Sequence, residues 1–150
     1  IRNMLFKMPT KLNDSIVPWV TYSDPELAQV GLTENAATDK WGEASIRIMQ
    51  LPLAGVDRAI AERRREGMLK IIVHRNGRIL GASILAPNAG EMILAWVLAI
   101  NSRQKIKQMA SIIAPYPTYG DASKKAAGQF FTEKLFSPRT RRIVQFLLRW

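Results

Sequence analysis

The chain has 150 residues, 47% of them hydrophobic, with no cysteine, a single histidine (His74) and a formal charge of +10. That length suits one domain with a sizeable core, and the missing cysteines exclude disulfides, thiolate chemistry and cysteine-ligated zinc. One histidine excludes a histidine-built metal site or catalytic triad within the chain, and no apolar run approaches the ~20 residues of a membrane span.

Taken in order, Ile1–Ile16 reads as a helical scrap followed by a polar linker at Lys11–Ser15. The opening Ile1-Arg2-Asn3 has neither a start methionine nor a signal-peptide pattern, so the chain is expected to be a piece of a longer protein. Val17–Tyr22, β-branched and aromatic, predicts a strand with Pro18 near its start, where a missing donor matters least. Asp24-Pro25 makes a turn and Glu26–Gly31 a second extended piece. Thr33 is placed to cap a short helix through Trp41, closed by Gly42. Ala44–Leu51 alternates as a strand, with Ile46 and Ile48 on one face and Arg47 and Met49 on the other; Pro52–Val56 is loop. Asp57–Arg65 predicts a helix ending at Gly67, its Arg63-Arg64-Arg65 run a solvated, dipole-complementing end.

Met68–Arg75 and Arg78–Leu85 are two apolar strands around Asn76-Gly77, the preferred pair for a type I′ hairpin. His74, beside that turn, is read as structural. Gly90–Ile100 is apolar all round, which suits a helix buried against a sheet or a partner subunit. Lys105–Ile113 is a second, basic helix, Thr118–Leu135 a third, and Pro138 starts an appended helix ending at Trp150. Helices and antiparallel strands in this mixed order give an α+β domain. Neither G-x-G-x-x-G, P-loop nor nucleophile elbow is present, so any catalytic role needs another domain or subunit.

The stretch Ile112–Gly128 draws these elements together. Pro115 and Pro117 bracket Tyr116, and each disfavours helical geometry in the residue before it. The phenol is thereby offered from a stiff corner. Thr118 then caps a helix carrying Asp121 on its first turn, where a carboxylate suits the dipole.

The segments V-P-W-V-T-Y-S-D-P-E-L-A-Q-V-G-L-T-E (17–34), D-R-A-I-A-E-R-R-R-E-G-M-L-K-I-I-V (57–73), G-R-I-L-G-A-S-I-L-A (77–86), A-G-E (89–91) and Y-P-T-Y-G-D (116–121) stand in this order. Together they resemble the C-terminal dimerisation domain of the pyridine nucleotide-disulfide oxidoreductases, which include glutathione reductase, dihydrolipoamide dehydrogenase and mercuric reductase. The resemblance implies an antiparallel sheet flanked by helices, pairing with its copy in a homodimer. It divides the chain into 1–16 as the exit from a preceding FAD domain, 17–136 as the dimerisation domain and 137–150 as a basic extension. FAD and NAD(P)H would be bound by domains upstream in the same protein, and none by this segment alone.

In that family an H-P-T-x-x-E motif enters the partner's active site beside the flavin. The resemblance therefore points to Tyr116 and Asp121 as the positions of the catalytic histidine and glutamate. It places Pro115, Tyr116, Pro117 and Thr118 in the flavin neighbourhood of the other subunit, with no metal site. Tyrosine for histidine is a large change: a phenol titrates near 10 and an imidazole near 6.5. Recruiting a phenolate at pH 7 costs roughly 4 kcal/mol, so the hydroxyl is read as a hydrogen-bond donor, general acid or soft-metal ligand. Mercuric reductases similarly carry tyrosine here but add a C-terminal cysteine pair that this sequence does not show. The reading is a mercuric-reductase-like oxidoreductase with another substrate, cytoplasmic in location.

Two alternatives stand beside it: a homodimeric binding module without catalysis, and a protein held on a membrane surface by its tail. The last fifty residues hold ten basic and two acidic side chains, without the aromatic interleaving of a nucleic-acid module, so nucleic acid is set aside. The tail puts Ile143, Val144, Phe146, Leu147, Leu148 and Trp150 opposite Arg141, Arg142, Gln145 and Arg149. Docking of that apolar face on the rest of the protein is expected ahead of an anionic bilayer.

Overall fold

A computed structural model describes residues 2–8 and 16–148. The expected linker at Lys11–Ser15 and the last two tail residues lie outside them. A short helix, α1 (Arg2–Leu5), is followed by β1 (Trp19–Thr21), β2 (Glu26–Gly31), α2 (Glu34–Trp41), β3 (Ile46–Pro52) and α3 (Asp57–Ala61). After these come β4 (Met68–His74), β5 (Ile79–Ala86), α4 (Ala89–Asn101), α5 (Ile106–Ser111), α6 (Tyr119–Leu135) and α7 (Pro138–Leu147). The five strands form one fully antiparallel sheet in the order β1-β2-β5-β4-β3. This is the α+β architecture the sequence predicts.

The sheet buries both faces, and the alternation of its strands decides what each face meets. Leu69, Ile71 and Val73 of β4, with Ala82, Ile84 and Ala86 of β5, join the main core with Met92, Ile93 and Trp96 of α4 and Ala122, Ala126 and Ala127 of α6. Ile46, Ile72 and Leu80 face the other way onto Ala37 and Trp41 of α2. Trp96 is fully buried, and its indole Nε1 donates to Ser123 Oγ at 3.1 Å, tying α4 to α6. On β3, Met49 enters the main core while Arg47 donates to the Phe130 carbonyl and pairs with Glu133 of α6 at 2.7 Å.

Close backbone approach at the sheet centre requires glycine. A Cβ at Gly81 would lie 2.0 Å from the Leu32 carbonyl oxygen. A Cβ at Gly67, where φ is 122, would lie as near the Leu85 carbonyl oxygen.

Three local expectations change. The hairpin is not a two-residue type I′ turn: His74 N–H donates to Arg78 O and Gly77 N–H to His74 O. Three residues therefore connect the strands, and the left-handed position is Gly77 at φ 89, the three-residue loop with a glycine bulge. Asn76 instead spends its side chain as an acceptor for Arg78 N–H at 3.0 Å. Second, α3 stops at Ala61 because Arg63 turns to φ 57 and Arg64 N–H closes onto Ala59 O. The arginine run lies beyond the helix, and Arg64 pairs with Asp24.

Third, α7 does not dock on its own domain. Ser137 caps it afresh through Thr140 N–H, just past the end of α6 at Phe136. None of its side chains is buried, and Ile143, Phe146, Leu147 and Leu148 are exposed. Among the described residues no helix is long and apolar enough to cross a membrane.

Candidate functional site

The corner before α6 is built from short-range bonds. From Ile112 the backbone is extended (φ −63, ψ 151), and the Tyr116–Pro117 peptide is cis. Thr118 Oγ1 accepts from Asp121 N–H at 3.2 Å and donates back to the Pro115 carbonyl at 2.7 Å. One hydroxyl thus caps the helix and closes the loop, as the sequence predicts for Thr118. The next residue anchors the corner to the protein: Tyr119 is 7% exposed and its hydroxyl donates to Glu62 Oε2 at 2.9 Å. Tyr116 between them is 70% exposed. A fixed backbone therefore carries an exposed phenol.

Behind the phenol lies a charge cluster. Lys125 Nζ sits 2.8 Å from Asp57 Oδ2 and 3.3 Å from Asp121 Oδ2, so one ammonium bridges the start of α3 and the first turn of α6. Hydrogen bonding to Lys125, and then its charge, hold the Asp57 carboxyl below its ordinary value; the Tyr116 hydroxyl adds the smallest contribution in the same direction. Lys125 is pushed up, chiefly by its hydrogen bond to Asp57 and against the cost of desolvation, with Asp121 assisting. Beside them, Glu62 is lowered by the Tyr119 hydroxyl first and Arg58 second. Burial, then the Glu62 bond, raises Tyr119.

Tyr116 and Asp121 occupy the positions expected of them, one on the corner and one on the first turn. The Asp121 side chain is 13% exposed and turned to Lys125; among the described residues no hydrogen bond joins it to Tyr116 within the protomer. Asp57 is the carboxylate that the phenol approaches. Sequence reasoning missed Asp57 and Lys125, which are 68 positions apart. The i,i+4 spacing of Asp121 and Lys125 was the available half of the signal.

The chemistry open to this corner is narrow. A phenol can donate a hydrogen bond or a proton to a group brought against it, and the lysine-bridged carboxylates keep the loop's base fixed. The described residues include no group of three potential metal ligands. Pro115, Tyr116 and Pro117 are all exposed. A second unpartnered surface lies on α4. This helix buries Met92, Ile93, Trp96 and Ala99 but leaves Leu94 and Leu98, one turn apart, 65% and 62% exposed.

Comparison with known proteins bears on these surfaces. The family described as pyridine nucleotide-disulphide oxidoreductase, dimerisation domain, matches residues 17–127. Mercuric reductase of Bacillus cereus is 35% identical over 130 residues, 86% of this chain and 20% of that protein. Dihydrolipoyl dehydrogenase 1, mitochondrial, of Arabidopsis thaliana is 40% identical over 112 residues, 74% of this chain and 22% of that protein. Among solved structures, LpdA from Mycobacterium tuberculosis superposes with a TM-score of 0.77 at 28% identity, covering 85% of this chain and 28% of the other. The HOCl-induced flavoprotein disulfide reductase RclA from Escherichia coli does so at 0.75 and 26% identity, covering 85% and 29%. The chain thus spans only about a fifth to three tenths of the length of these relatives.

Proposed function

The chain belongs to the pyridine nucleotide-disulphide oxidoreductase family, as its dimerisation domain, and from that premise we propose that two copies pair and each completes the other's redox centre with its Tyr116 corner. The observation that carries this reading is the corner itself: an exposed phenol on a backbone pinned by Thr118 and Tyr119. A side chain fixed so firmly yet facing outward is arranged for a group supplied by another subunit. The exposed Leu94–Leu98 stripe supports α4 as part of the two-fold contact.

The whole protein, in this proposal, is a mercuric-reductase-like oxidoreductase with FAD and NAD(P)H bound by domains upstream in the same chain. When bound, the flavin supplies hydride acceptance and onward electron transfer. Pro115, Tyr116, Pro117 and Thr118 would face that centre and contact it without holding it. The Tyr116 hydroxyl donates a hydrogen bond, or its proton, to the acceptor being reduced. Asp57 and Lys125 set the position of the loop that presents it, and Asp121 takes part through Lys125.

In the full-length protein, Tyr116→Phe keeps the ring and removes the hydroxyl. Rapid mixing with NAD(P)H should show flavin reduction unchanged within about twofold. Turnover with the acceptor should slow by the ~10²–10⁴ of a lost acid–base group. Acceptor turnover that stays intact at every pH would make the hydroxyl a bystander.

A further inference from the structure

At the opposite end of β4 from the Tyr116 corner, the structure forms a cleft of about 980 Å³ that the family reading does not use. Its walls are the Ile16–Pro18 segment, the C-terminal end of α2, the β4–β5 hairpin tip and the α4–α5 connection. The last two are stitched together by an isolated antiparallel β-bridge between the backbones of Arg78 and Lys105 and by Ile106 N–H donating to Gly77 O at 2.8 Å. Among the described residues, four cations line it, Lys40, Arg78, Arg103 and Lys105, and no carboxylate does. Among the described residues none of the four makes an ion pair, whereas Arg47, Arg58, Arg64, Lys70 and Lys125 all do. Like charges gathered around one concavity repel and focus a positive field into it.

The floor supplies the second observation. Leu32 and Leu80 lie there beside Trp41, whose ring stands edge-on to His74 at 5.2 Å with the Arg78 guanidinium 5.9 Å from its centroid. Trp41 Nε1 is buried and has no hydrogen-bond partner, a state held by no other buried side-chain nitrogen or oxygen among the described residues. Buried donors are nearly always satisfied, and this unsatisfied one belongs to a side chain that lines the cleft. Cations at the rim, an apolar floor and one orphan donor define complementary chemistry: a small organic molecule with a multiply charged anionic group on a flat apolar body.

We propose that this cleft binds an organic phosphate of that kind. Its phosphate sits among Lys40, Arg78, Arg103 and Lys105, its body lies on Leu32 and Leu80, and an oxygen accepts from Trp41 Nε1. The proposal is independent of the Tyr116 reading, since it uses none of the same residues.

The probe is 1-naphthyl phosphate, titrated into the isotope-labelled 150-residue chain, with 1-naphthol and inorganic phosphate as separate arms. Saturable one-to-one binding should shift the Trp41 indole N–H resonance, and either half-molecule should bind at least tenfold more weakly. The double variant Lys40→Gln/Arg103→Gln changes two exposed side chains and so keeps the fold, which the spectrum itself reports. It should weaken binding at least tenfold and flatten its salt dependence. Trp41→Phe should weaken binding with the salt dependence kept. Absence of a saturable shift at millimolar probe would overturn the proposal. So would a shift indifferent to Lys40→Gln/Arg103→Gln, or inorganic phosphate binding as tightly as the naphthyl ester.

Discussion

The double substitution Leu94→Ala/Leu98→Ala tests the two-fold pairing where it can be separated from folding. Both leucines lie on α4 but outside the core, at 65% and 62% exposure, while Trp96 and Ile93 hold the helix to the sheet from the opposite side. Full burial of a leucine is worth about 1.5–3 kcal/mol. The exposed fraction of each then carries about 1–2 kcal/mol, and a symmetric contact buries each leucine twice. Four side chains give a gross gain of roughly 4–8 kcal/mol; alanine retains part of it, and area converts incompletely to affinity. A net loss of about 3–5 kcal/mol remains, a rise in dimer Kd of roughly 10²–10⁴-fold. Sedimentation equilibrium over a concentration series reads this directly, and urea unfolding of the monomer should move by less than about 0.5 kcal/mol. An unchanged Kd would refute the placement of α4 in the interface. A large loss of monomer stability would refute the claim that the two leucines stand outside the fold.

Two further outcomes follow from the charge cluster and the sheet. Asp57 and Glu62 have lowered folded values, so their contribution is present above the ordinary carboxyl values of 3.8 and 4.5 and is lost as pH falls through the lowered ones. Lys125 and Tyr119 are raised, so theirs is present below the ordinary values of 10.5 and 10.0 and is lost as pH rises through the raised ones. Urea midpoints measured across pH should therefore fall on both limbs, and Lys125→Met should remove the Asp57 part of the acid limb while leaving the Glu62 part. Gly81→Ala drives a Cβ into the Leu32 carbonyl and should cost about 3 kcal/mol or prevent folding. Gly128→Ala, with open space around it in α6, should raise stability by about 0.5–1 kcal/mol; equal effects of the two on melting temperature would contradict the packing described.

Much of this fold is local information, and that part reads directly. Thr118 before an acid three residues on announces the start of α6, Thr33 and Gly42 bound α2, and the alternation in β3 sorts Ile46 from Met49 correctly. The hairpin was found by its glycine but mistyped, because Asn76-Gly77 alone does not say which residue leaves the ladder. Here Ile106 donating to the Gly77 carbonyl, from 29 positions away, helps fix the loop. The end of α3 was misjudged because arginine adopted a left-handed turn that propensity assigns to glycine. The corner carrying Tyr116 and the first-turn place of Asp121 were legible from the prolines and the Thr118 cap. Lys125 bridging to Asp57, the orphan Trp41 donor and the cationic cleft were not, since each is made by elements far apart in the chain.

The central claim is that Tyr116 serves the partner's centre, and intersubunit complementation tests it most directly. Full-length subunits carrying Tyr116→Phe are paired with subunits whose own flavin site has been disabled but whose Tyr116 is intact. The mixed dimer then holds one working flavin faced by the other subunit's tyrosine. The account predicts that turnover with the acceptor returns to about half that of the unaltered dimer. A mixed dimer as slow as the Tyr116→Phe homodimer would place the phenol's action within its own subunit and contradict it.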